Sequence, residues 1–261
     1  MKVAVLGCGN MGSAIISGLI KNGHTIIAYD TSVEMRKRVD SNVSIIDSKD
    51  WFVDNELEID AVILAVKPQV MTDVISQFKD VKTDTLWISI AAGISIETLE
   101  SGLPKYSLVC RVMPNTPALI GEGASAYSLN SNCSDKEIKI VEEVLKSLGK
   151  FVFVQEKLMN AVTGISGSGP AYVFLFIESM IEAGVTQGLS REVATILATQ
   201  TVKGAAALVE SSGEEPSVLK GRVMSPGGTT AAALSKLEEN RFKYSLLSAV
   251  DACVKRGEEL G

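Results

Sequence analysis

Hydrophobic residues follow different patterns in the two halves of this 261-residue chain. In the first half, short continuous apolar runs alternate with segments of helical periodicity. The runs predict strands at 2–6, 25–29, 61–65, 86–90 and 107–112. The segments between them predict helices, among them 11–22, 32–41 and 68–78. This alternation predicts a mainly parallel, doubly wound sheet with helices on both faces.

A capping box and one further strand close this first region. Ser134 and Glu137 have the capping-box spacing, and the helix that they open is predicted to end near Gly149. A last strand is predicted at 151–154. Beyond about residue 155 the strand pattern disappears, and helices are predicted at 156–163, 169–188, 190–211, 214–222, 228–239 and 242–259. The predicted fold class is α/β plus all-α, with a domain at 1–155 and a helical domain at 156–261.

The predicted helices 169–188 and 190–211 carry apolar and small residues around most of their circumference. The small residues of the second helix include Ala194, Ala198, Gly204, Ala205, Ala206 and Ala207. A helix that is apolar on most sides must be buried on most sides, and one helical layer of this size is too small to do so alone. The sequence therefore predicts a homodimer through residues 156–261, and leaves open a larger assembly of dimers.

Charge and composition argue against nucleic-acid and membrane partners. The formal net charge is −6, no block of basic residues occurs, and aromatic residues make up only 5%, whereas nucleic-acid binders carry basic faces or stacking aromatics. The most apolar stretch, 171–177, meets Glu178 well short of a membrane span. The few residues before the first glycine are too short for a secretory signal, so we expect a cytoplasmic protein.

Neither cysteine nor histidine offers a metal site. The cysteines lack Cys-X-X-Cys spacing and number four, namely Cys8, Cys110, Cys133 and Cys253. The single histidine, His24, precedes the second predicted strand and therefore lies at the wrong end of it for a ligand site. We expect structural roles for these residues and no bound metal.

Gly7-Cys8-Gly9-Asn10-Met11-Gly12 follows a predicted strand and opens a predicted helix. In this context Gly7 permits a tight turn, Gly9 lets the backbone approach a pyrophosphate, and Gly12 lets helix and strand pack closely. The backbone at Asn10 and Met11 begins the helix, whose unpaired N–H groups attract phosphate. The glycine loop, residues 7–12, thus predicts a Rossmann-type dinucleotide site.

The end of the second predicted strand bears on which dinucleotide binds. Asp30 can accept a hydrogen bond from a ribose 2′-hydroxyl, which favours NADH and repels the 2′-phosphate of NADPH. Thr31, Ser32 and Arg36 follow, and such donors can hold a phosphate. The residues alone leave the cofactor open as NADPH or NADH.

Two further strand ends carry candidate residues, since ligands of such sheets bind beyond the carboxyl ends of the strands. Ala65 ends the strand 61–65, and Val66, Lys67 and Pro68 follow it. At this position Lys67 can meet phosphate or ribose. Residues 111–117 hold two prolines and form a stiff loop, which suits a site that must keep its geometry.

The chain lacks the acids that carbonyl reduction needs. Ketone reduction uses a strong acid near the oxygen, usually His or a Tyr–Lys pair. His24 is poorly placed, and no Tyr-X-X-X-Lys pattern occurs. An imine needs less help because its nitrogen is basic and can arrive protonated. The residues therefore favour C=N over C=O reduction.

Five segments resemble the pyrroline-5-carboxylate reductase family along the whole chain, namely 7–12, 65–69, 111–117, 167–172 and 225–230. The last of these, Ser-Pro-Gly-Gly-Thr-Thr, is the most specific. The resemblance implies reduction of the imino acid 1-pyrroline-5-carboxylate to L-proline by NADPH or NADH. It also implies a homodimer through the helical domain, with the site shared between subunits.

The resemblance also implies roles for residues of this last segment. Ser225, Gly227 and Gly228 would hold the substrate carboxylate, Thr229 would belong to the same loop, and the Thr230 hydroxyl would bond the ring nitrogen as the catalytic group. Physical reasoning agrees, because backbone N–H groups of a glycine turn that opens a helix form an anion site. One departure concerns Asp30, since relatives that prefer NADPH often lack an acid there.

Two other functions compete with this one. A β-hydroxyacid dehydrogenase would carry a catalytic lysine after the linker, yet helix 169–188 has no lysine and only Lys157 lies nearby. A redox-sensing dinucleotide-binding module would need no anion loop, so residues 225–230 argue against it.

Overall fold

The computed structural model describes residues 1–39, 43–46, 59–81 and 84–260. An eight-stranded sheet has the order β3-β2-β1-β4-β5-β6-β7-β8. The strands are β1 (Lys2–Leu6), β2 (Thr25–Tyr29), β3 (Ser44–Ile45), β4 (Ala61–Leu64), β5 (Leu86–Ser89), β6 (Leu108–Met113), β7 (Gly123–Leu129) and β8 (Gly149–Phe153). All neighbouring strands run parallel except β6 and β7, which are antiparallel.

The helices of the sheet region connect these strands. They are α1 (Asn10–Lys21), α2 (Val33–Lys37), α3 (Pro68–Ser76), α4 (Ile96–Gly102) and α5 (Asp135–Lys146), with a 3₁₀ helix at Thr116–Ile120. The chain continues with a 3₁₀ turn (Glu156–Leu158), α6 (Met159–Val162) and a π-helix (Thr163–Gly167). It ends with α7 (Gly169–Thr186), α8 (Arg191–Ser212), α9 (Pro216–Val223), α10 (Thr229–Glu239) and α11 (Phe242–Leu260).

Strand β1 shows why the apolar runs form a doubly covered sheet. Val3 and Val5 belong to a core cluster with α1 and α5, while Ala4 and Leu6 belong to a second cluster with α3 and α4 on the opposite face. Because successive strand residues point to opposite faces, a continuous apolar run serves both cores. The predicted α/β plus all-α fold class is confirmed.

The boundaries differ from prediction in a few places. The strand expected at 107–112 is Leu108–Met113, the helix after Ser134 ends at Lys146, and the last strand begins at Gly149. The elements that were not predicted include β3, α4, β7, the 3₁₀ helix Thr116–Ile120 and the π-helix Thr163–Gly167. The residues of β7, Gly-Ala-Ser-Ala-Tyr-Ser-Leu, are mostly small and lack the β-branched side chains that mark a strand. Residues 40 and 41 of the predicted helix 32–41 lie outside the described residues.

The capping box is confirmed. Ser134 caps the start of α5, and the Glu137 carboxylate accepts the Ser134 N–H at 2.8 Å. The reciprocal bonds fix where this helix starts.

The chain consists of two compact units. One comprises Met1–Ser168 with Cys253–Gly261, and the other comprises Gly169–Ala252. The boundary at 155/156 remains a prediction. Within the described residues, no helix is long and apolar enough to cross a membrane, and no group of three or more His, Cys, Asp or Glu is placed to hold a metal ion.

The helical unit exposes large apolar side chains on its two longest helices. None of the described residues of α7 is buried, and Phe174 and Leu175 are 61% and 63% exposed. On α8 only Ala194 and Ala198 are buried, while Ile196 is 61% exposed. Exposed apolar surface of this kind marks an interface, and the sequence pattern of these helices predicts that a second subunit buries it.

Candidate functional site

The glycine loop begins with a close approach between two backbones. Gly7 has φ +106°, which glycine alone adopts readily, and its N–H donates to the Tyr29 carbonyl at 2.8 Å. A Cβ at Gly7 would lie 2.6 Å from the Ala65 carbonyl oxygen. A side chain here would therefore separate β1 from the segment that follows β4, at the point where the strand order reverses.

The other two glycines of the loop differ in what surrounds them. Gly9 is the N-cap of α1 with φ −66°, and a Cβ there would meet no atom of the described residues within 4 Å. Gly12 is buried, and a Cβ there would overlap the Gly7 carbonyl oxygen and lie 3.3 Å from the Ala65 Cβ. Gly12 is thus required by the protein's own packing, whereas Gly9 leaves open space next to the helix start.

No described side chain caps the start of α1. Asn10 and Met11 are its first residues, and the first ladder bond joins the Ser13 N–H to the Gly9 carbonyl at 2.8 Å. The N–H groups of the first turn therefore keep their donor capacity, next to the positive end of the helix dipole. This arrangement suits a phosphate.

The Asp30 carboxylate holds the glycine loop. Its Oδ2 accepts the Cys8 N–H at 2.7 Å, and its Oδ1 accepts the Ser32 N–H at 2.8 Å. The Arg36 guanidinium donates to the Asp30 carbonyl at 2.8 Å. Asp30 thus ties the end of β2 to the loop after β1, a role that the sequence did not indicate. Each carboxylate oxygen keeps a second lone pair, so acceptance from a ribose hydroxyl stays compatible with this geometry.

The Cys8 thiol adds no charge beside the loop at neutral pH. Burial, and secondly the Asp30 carboxylate, raise the pKa of this thiol to about 11. The thiol remains protonated, so it does not repel a phosphate at the helix start.

A cavity of about 620 Å³ lies at this edge of the sheet. Its walls include most of the predicted cofactor residues, namely Gly7, Gly9, Asp30, Thr31, Ser32, Ala65, Val66 and Lys67. The other predicted residues adjoin it in sequence. Asn10, Met11 and Gly12 lie in α1, and Pro68 is the first residue of α3, where its fixed φ suits a helix start.

An apolar wall of the cavity was missed from the sequence. It consists of Met35 from α2 and Val70, Val74 and Phe78 from α3 and its end. Residues 70, 74 and 78 recur every fourth position, so they share one face of the helix. That spacing was the signal available in the sequence, and the structure adds that Val70 is exposed. The wall can receive a flat apolar group such as a base.

Polar side chains are buried at the carboxyl ends of β5 and β6. Arg111, 8% exposed, approaches Glu156 at 3.3 Å, and the same Glu156 oxygen accepts the Ile96 N–H at the start of α4 at 2.6 Å. Asn115, 9% exposed, accepts the Ala124 N–H at 2.9 Å and donates to the Ser166 carbonyl at 3.0 Å. Of the stiff loop predicted at 111–117, residues 111–113 belong to β6 and residues 116–117 to the 3₁₀ helix, and the Asn115 side chain holds the segment between them.

In the helical unit, residues 225–228 form a tight turn. The Gly228 N–H donates to the Ser225 carbonyl at 3.0 Å, and Gly227 has φ +70°. Pro226 at the second position and a left-handed glycine at the third are typical of a type II turn. Gly228 is the N-cap of α10, and no described side chain caps this helix. The first N–H groups of α10 are therefore available to an anion.

The two threonines after the turn differ in exposure. Thr229 is exposed and Thr230 is half-buried, as expected because successive helical residues point in different directions. A Cβ at Gly228 would overlap the Ser225 Oγ and lie 3.2 Å from the Ser225 carbonyl oxygen, so a larger residue there would require the Ser225 side chain to move. The turn at 225–228 and the start of α10 together determine where the Thr229 and Thr230 hydroxyls lie.

Known proteins match both parts of the chain. Residues 156–260 match the family profile described as pyrroline-5-carboxylate reductase dimerisation, and residues 2–93 match the profile described as NADP oxidoreductase, coenzyme F420-dependent. The chain is 40% identical to the pyrroline-5-carboxylate reductase of Arabidopsis thaliana, over 99% of this chain and 95% of the relative. It is also 40% identical to that of Methanosarcina acetivorans, over 100% of this chain and 98% of the relative.

A solved structure agrees with these sequence matches. The pyrroline carboxylate reductase of Plasmodium falciparum, with NADP bound, superposes with a TM-score of 0.86 at 37% identity, and the match covers 100% of both chains.

Proposed function

The chain belongs to the pyrroline-5-carboxylate reductase family, and from this membership we propose how its residues carry out the reaction. The protein transfers a hydride from NADPH or NADH to the C=N bond of 1-pyrroline-5-carboxylate, which yields L-proline in the last step of proline biosynthesis. One observation supports the proposal above others. Two glycine turns each open a helix that no described side chain caps, and each thereby offers backbone N–H groups to an anion.

The glycine loop and its cavity fit the dinucleotide. When bound, the cofactor supplies the hydride. The N–H groups at Asn10 and Met11 would hold the pyrophosphate, with Gly9 leaving room for it. Asp30, Thr31 and Ser32 would surround the adenine ribose. The remaining predicted contacts are Gly7, Gly12, Ala65, Val66, Lys67 and Pro68.

The turn at 225–228 would hold the substrate carboxylate. Ser225 supplies a hydroxyl, and the backbone at Gly227 and Thr229 supplies N–H donors at the start of α10. Gly228, whose own N–H is bonded to the Ser225 carbonyl, would line the same site. Thr230, one residue further along, would place its hydroxyl at the imine nitrogen. A protonated imine needs little acid, so an alcohol that orients the nitrogen is sufficient.

The function is tested by the reaction itself. Purified protein with 1-pyrroline-5-carboxylate should oxidise NADPH or NADH, measured as loss of absorbance of the reduced cofactor. Without the imine, oxidation should fall to background. Absence of turnover with both cofactors across neutral pH would contradict the proposal.

Asp30→Ala should shift the preference of the enzyme toward NADPH by about ten-fold in the ratio of specificity constants. The substitution removes an acceptor for the ribose hydroxyl and the repulsion of a 2′-phosphate. It should also lower the affinity for both cofactors, because the Cys8 and Ser32 N–H groups lose their acceptor. Steady-state kinetics with both cofactors provide the measurement.

A matched control is Asp60→Ala. Asp60 also accepts a backbone N–H, that of Lys2 at 2.8 Å, at the opposite end of β1. This variant should leave the cofactor ratio unchanged. If Asp30→Ala also leaves it unchanged, Asp30 does not read the ribose.

The dimerisation profile and the exposed apolar faces of α7 and α8 support a homodimer. We further propose that the protein works in the cytoplasm without nucleic-acid or membrane partners, and that dimers can associate further. Sedimentation velocity would separate a dimer from a larger assembly, and cell fractionation would test the location.

A further inference from the structure

Asn115 stands at the carboxyl end of β6, in the half of the sheet that the adenine side of the cavity does not use. A doubly wound sheet binds one mononucleotide on each side of its switch point. The cavity is walled by segments after β1, β2 and β4, so the carboxyl ends of β5 and β6 are left for the nicotinamide end. This assignment rests on the proposed function. Segments packed against the ends of these strands can therefore affect hydride transfer without touching the reacting atoms.

A π-helix, Thr163–Gly167, packs against this end of β6. The Ser168 N–H donates to the Thr163 carbonyl at 2.8 Å, five residues back. A Cβ at Gly167 would lie 2.5 Å from the Met113 Cε, so glycine is what permits this close approach. π-helices are rare and occur often at functional sites.

The Ser166 carbonyl lacks its ordinary helical donor. In an α-helical ladder it would accept the N–H of residue 170, but that residue is Pro170, which has none. The Asn115 side chain supplies the donor instead, at 3.0 Å. The Asn115 oxygen is used as well, because it accepts the Ala124 N–H at 2.9 Å. Asn115 thus joins β7, the loop after β6 and the π-helix.

We propose that Asn115 is a positioning residue for the reduction. Through its bond to the Ser166 carbonyl it fixes the π-helix against the nicotinamide half of the sheet. Loss of that bond lowers the rate of hydride transfer more than the affinity for the cofactor, because the pyrophosphate and adenine contacts lie at the other half.

Asn115→Asp tests the bond selectively. The aspartate keeps an acceptor for the Ala124 N–H but turns a second oxygen toward the Ser166 carbonyl. We expect kcat to fall about ten-fold, since small displacements near a reacting centre reduce rates strongly. The dissociation constant for NADPH should stay unchanged, and the primary isotope effect with deuterated cofactor should rise. Gly167→Ala, which pushes the π-helix from Met113, should act in the same direction.

Asn130 offers a control at the opposite, amino-terminal end of β6. It is 8% exposed, accepts the Val109 N–H at 3.2 Å and donates to the Ser107 carbonyl at 2.8 Å. The Asn130 amide also donates to the Glu100 carboxylate at 2.7 Å, so Asn130→Asp brings two carboxylates together. This variant should lower the melting temperature at least as much as Asn115→Asp does, with kcat and the isotope effect unchanged. Equal kinetic losses in both variants would reduce Asn115 to a structural role and overturn the proposal.

Hydrogen exchange gives a readout that does not depend on turnover. Amide exchange at residues 163–168 should be faster in Asn115→Asp and unchanged in Asn130→Asp. Unaltered exchange there overturns the proposal even if the enzyme is active. A wild-type protein that fails to reduce 1-pyrroline-5-carboxylate contradicts the proposed function instead, and the exchange result still decides whether Asn115 holds the π-helix.

Discussion

Gly9→Ala should fold normally and lose its affinity for NADPH and NADH by about a hundred-fold, or roughly 2.7 kcal/mol. The backbone at Gly9 has φ −66°, which any residue adopts, and a Cβ there meets no atom of the described residues within 4 Å. The protein itself thus has no need for glycine at this position. We expect only cofactor binding to require glycine here, because the methyl group of alanine would occupy the space that the pyrophosphate enters.

Cofactor titration monitored by fluorescence, together with the melting temperature, measures both halves of this expectation. Gly12→Ala is the informative contrast, because a Cβ there overlaps the Gly7 carbonyl and disturbs the packing of α1 on β1. That variant should lose stability as well as binding. A Gly9→Ala protein with wild-type affinity would show that the glycine loop is not the pyrophosphate site.

Thr230→Ala should lower the specificity constant for the imine by about ten- to a hundred-fold, from a lost hydrogen bond of about 1–3 kcal/mol. General acid groups contribute about 10²–10⁴-fold, and the low end applies because a protonated imine needs little acid. The turn is set by Pro226, Gly227 and Gly228, so the fold should persist. Turnover should suffer because the bond strengthens as the nitrogen becomes an amine. Cofactor affinity should stay unchanged because the dinucleotide site belongs to the other compact unit.

Thr229→Ala is the control for this experiment, because Thr229 is exposed whereas Thr230 is half-buried. Steady-state kinetics with varied imine, and separate cofactor titrations, measure both variants. Greater damage from Thr229→Ala would assign the nitrogen contact to the other hydroxyl.

Several features of the fold could be predicted because they depend on neighbours in sequence. The apolar runs at 2–6 and 25–29 form strands with those bounds, and the capping box at Ser134 starts a helix. In each case the signal is local, as a strand buried on both faces requires a continuous apolar run and a helix start requires a cap. The order strand, glycine loop, helix likewise marks the candidate phosphate site before any packing is known.

Strand β7 escaped prediction because its stability comes from its partners. Its small and polar residues have no strong strand preference, but β6 on one side and β8 on the other complete its hydrogen bonds. The apolar wall of the cavity escaped for a related reason, since Val70 and Val74 resemble ordinary core positions until the space beside them is seen.

The fold class and the two glycine turns follow from the sequence alone, because the elements depend on residue types within a few positions of one another. The preference for imine chemistry also follows from the sequence, because it depends on which acidic groups the chain contains. Only the tertiary structure decided what Asp30 and Asn115 contact. The Asp30 carboxylate accepts the N–H of Cys8, 22 residues away, and the Asn115 amide donates to Ser166, 51 residues away. Such bonds satisfy backbone groups that strand ends, loops and a proline leave without partners, and chain folding alone brings their donors and acceptors together.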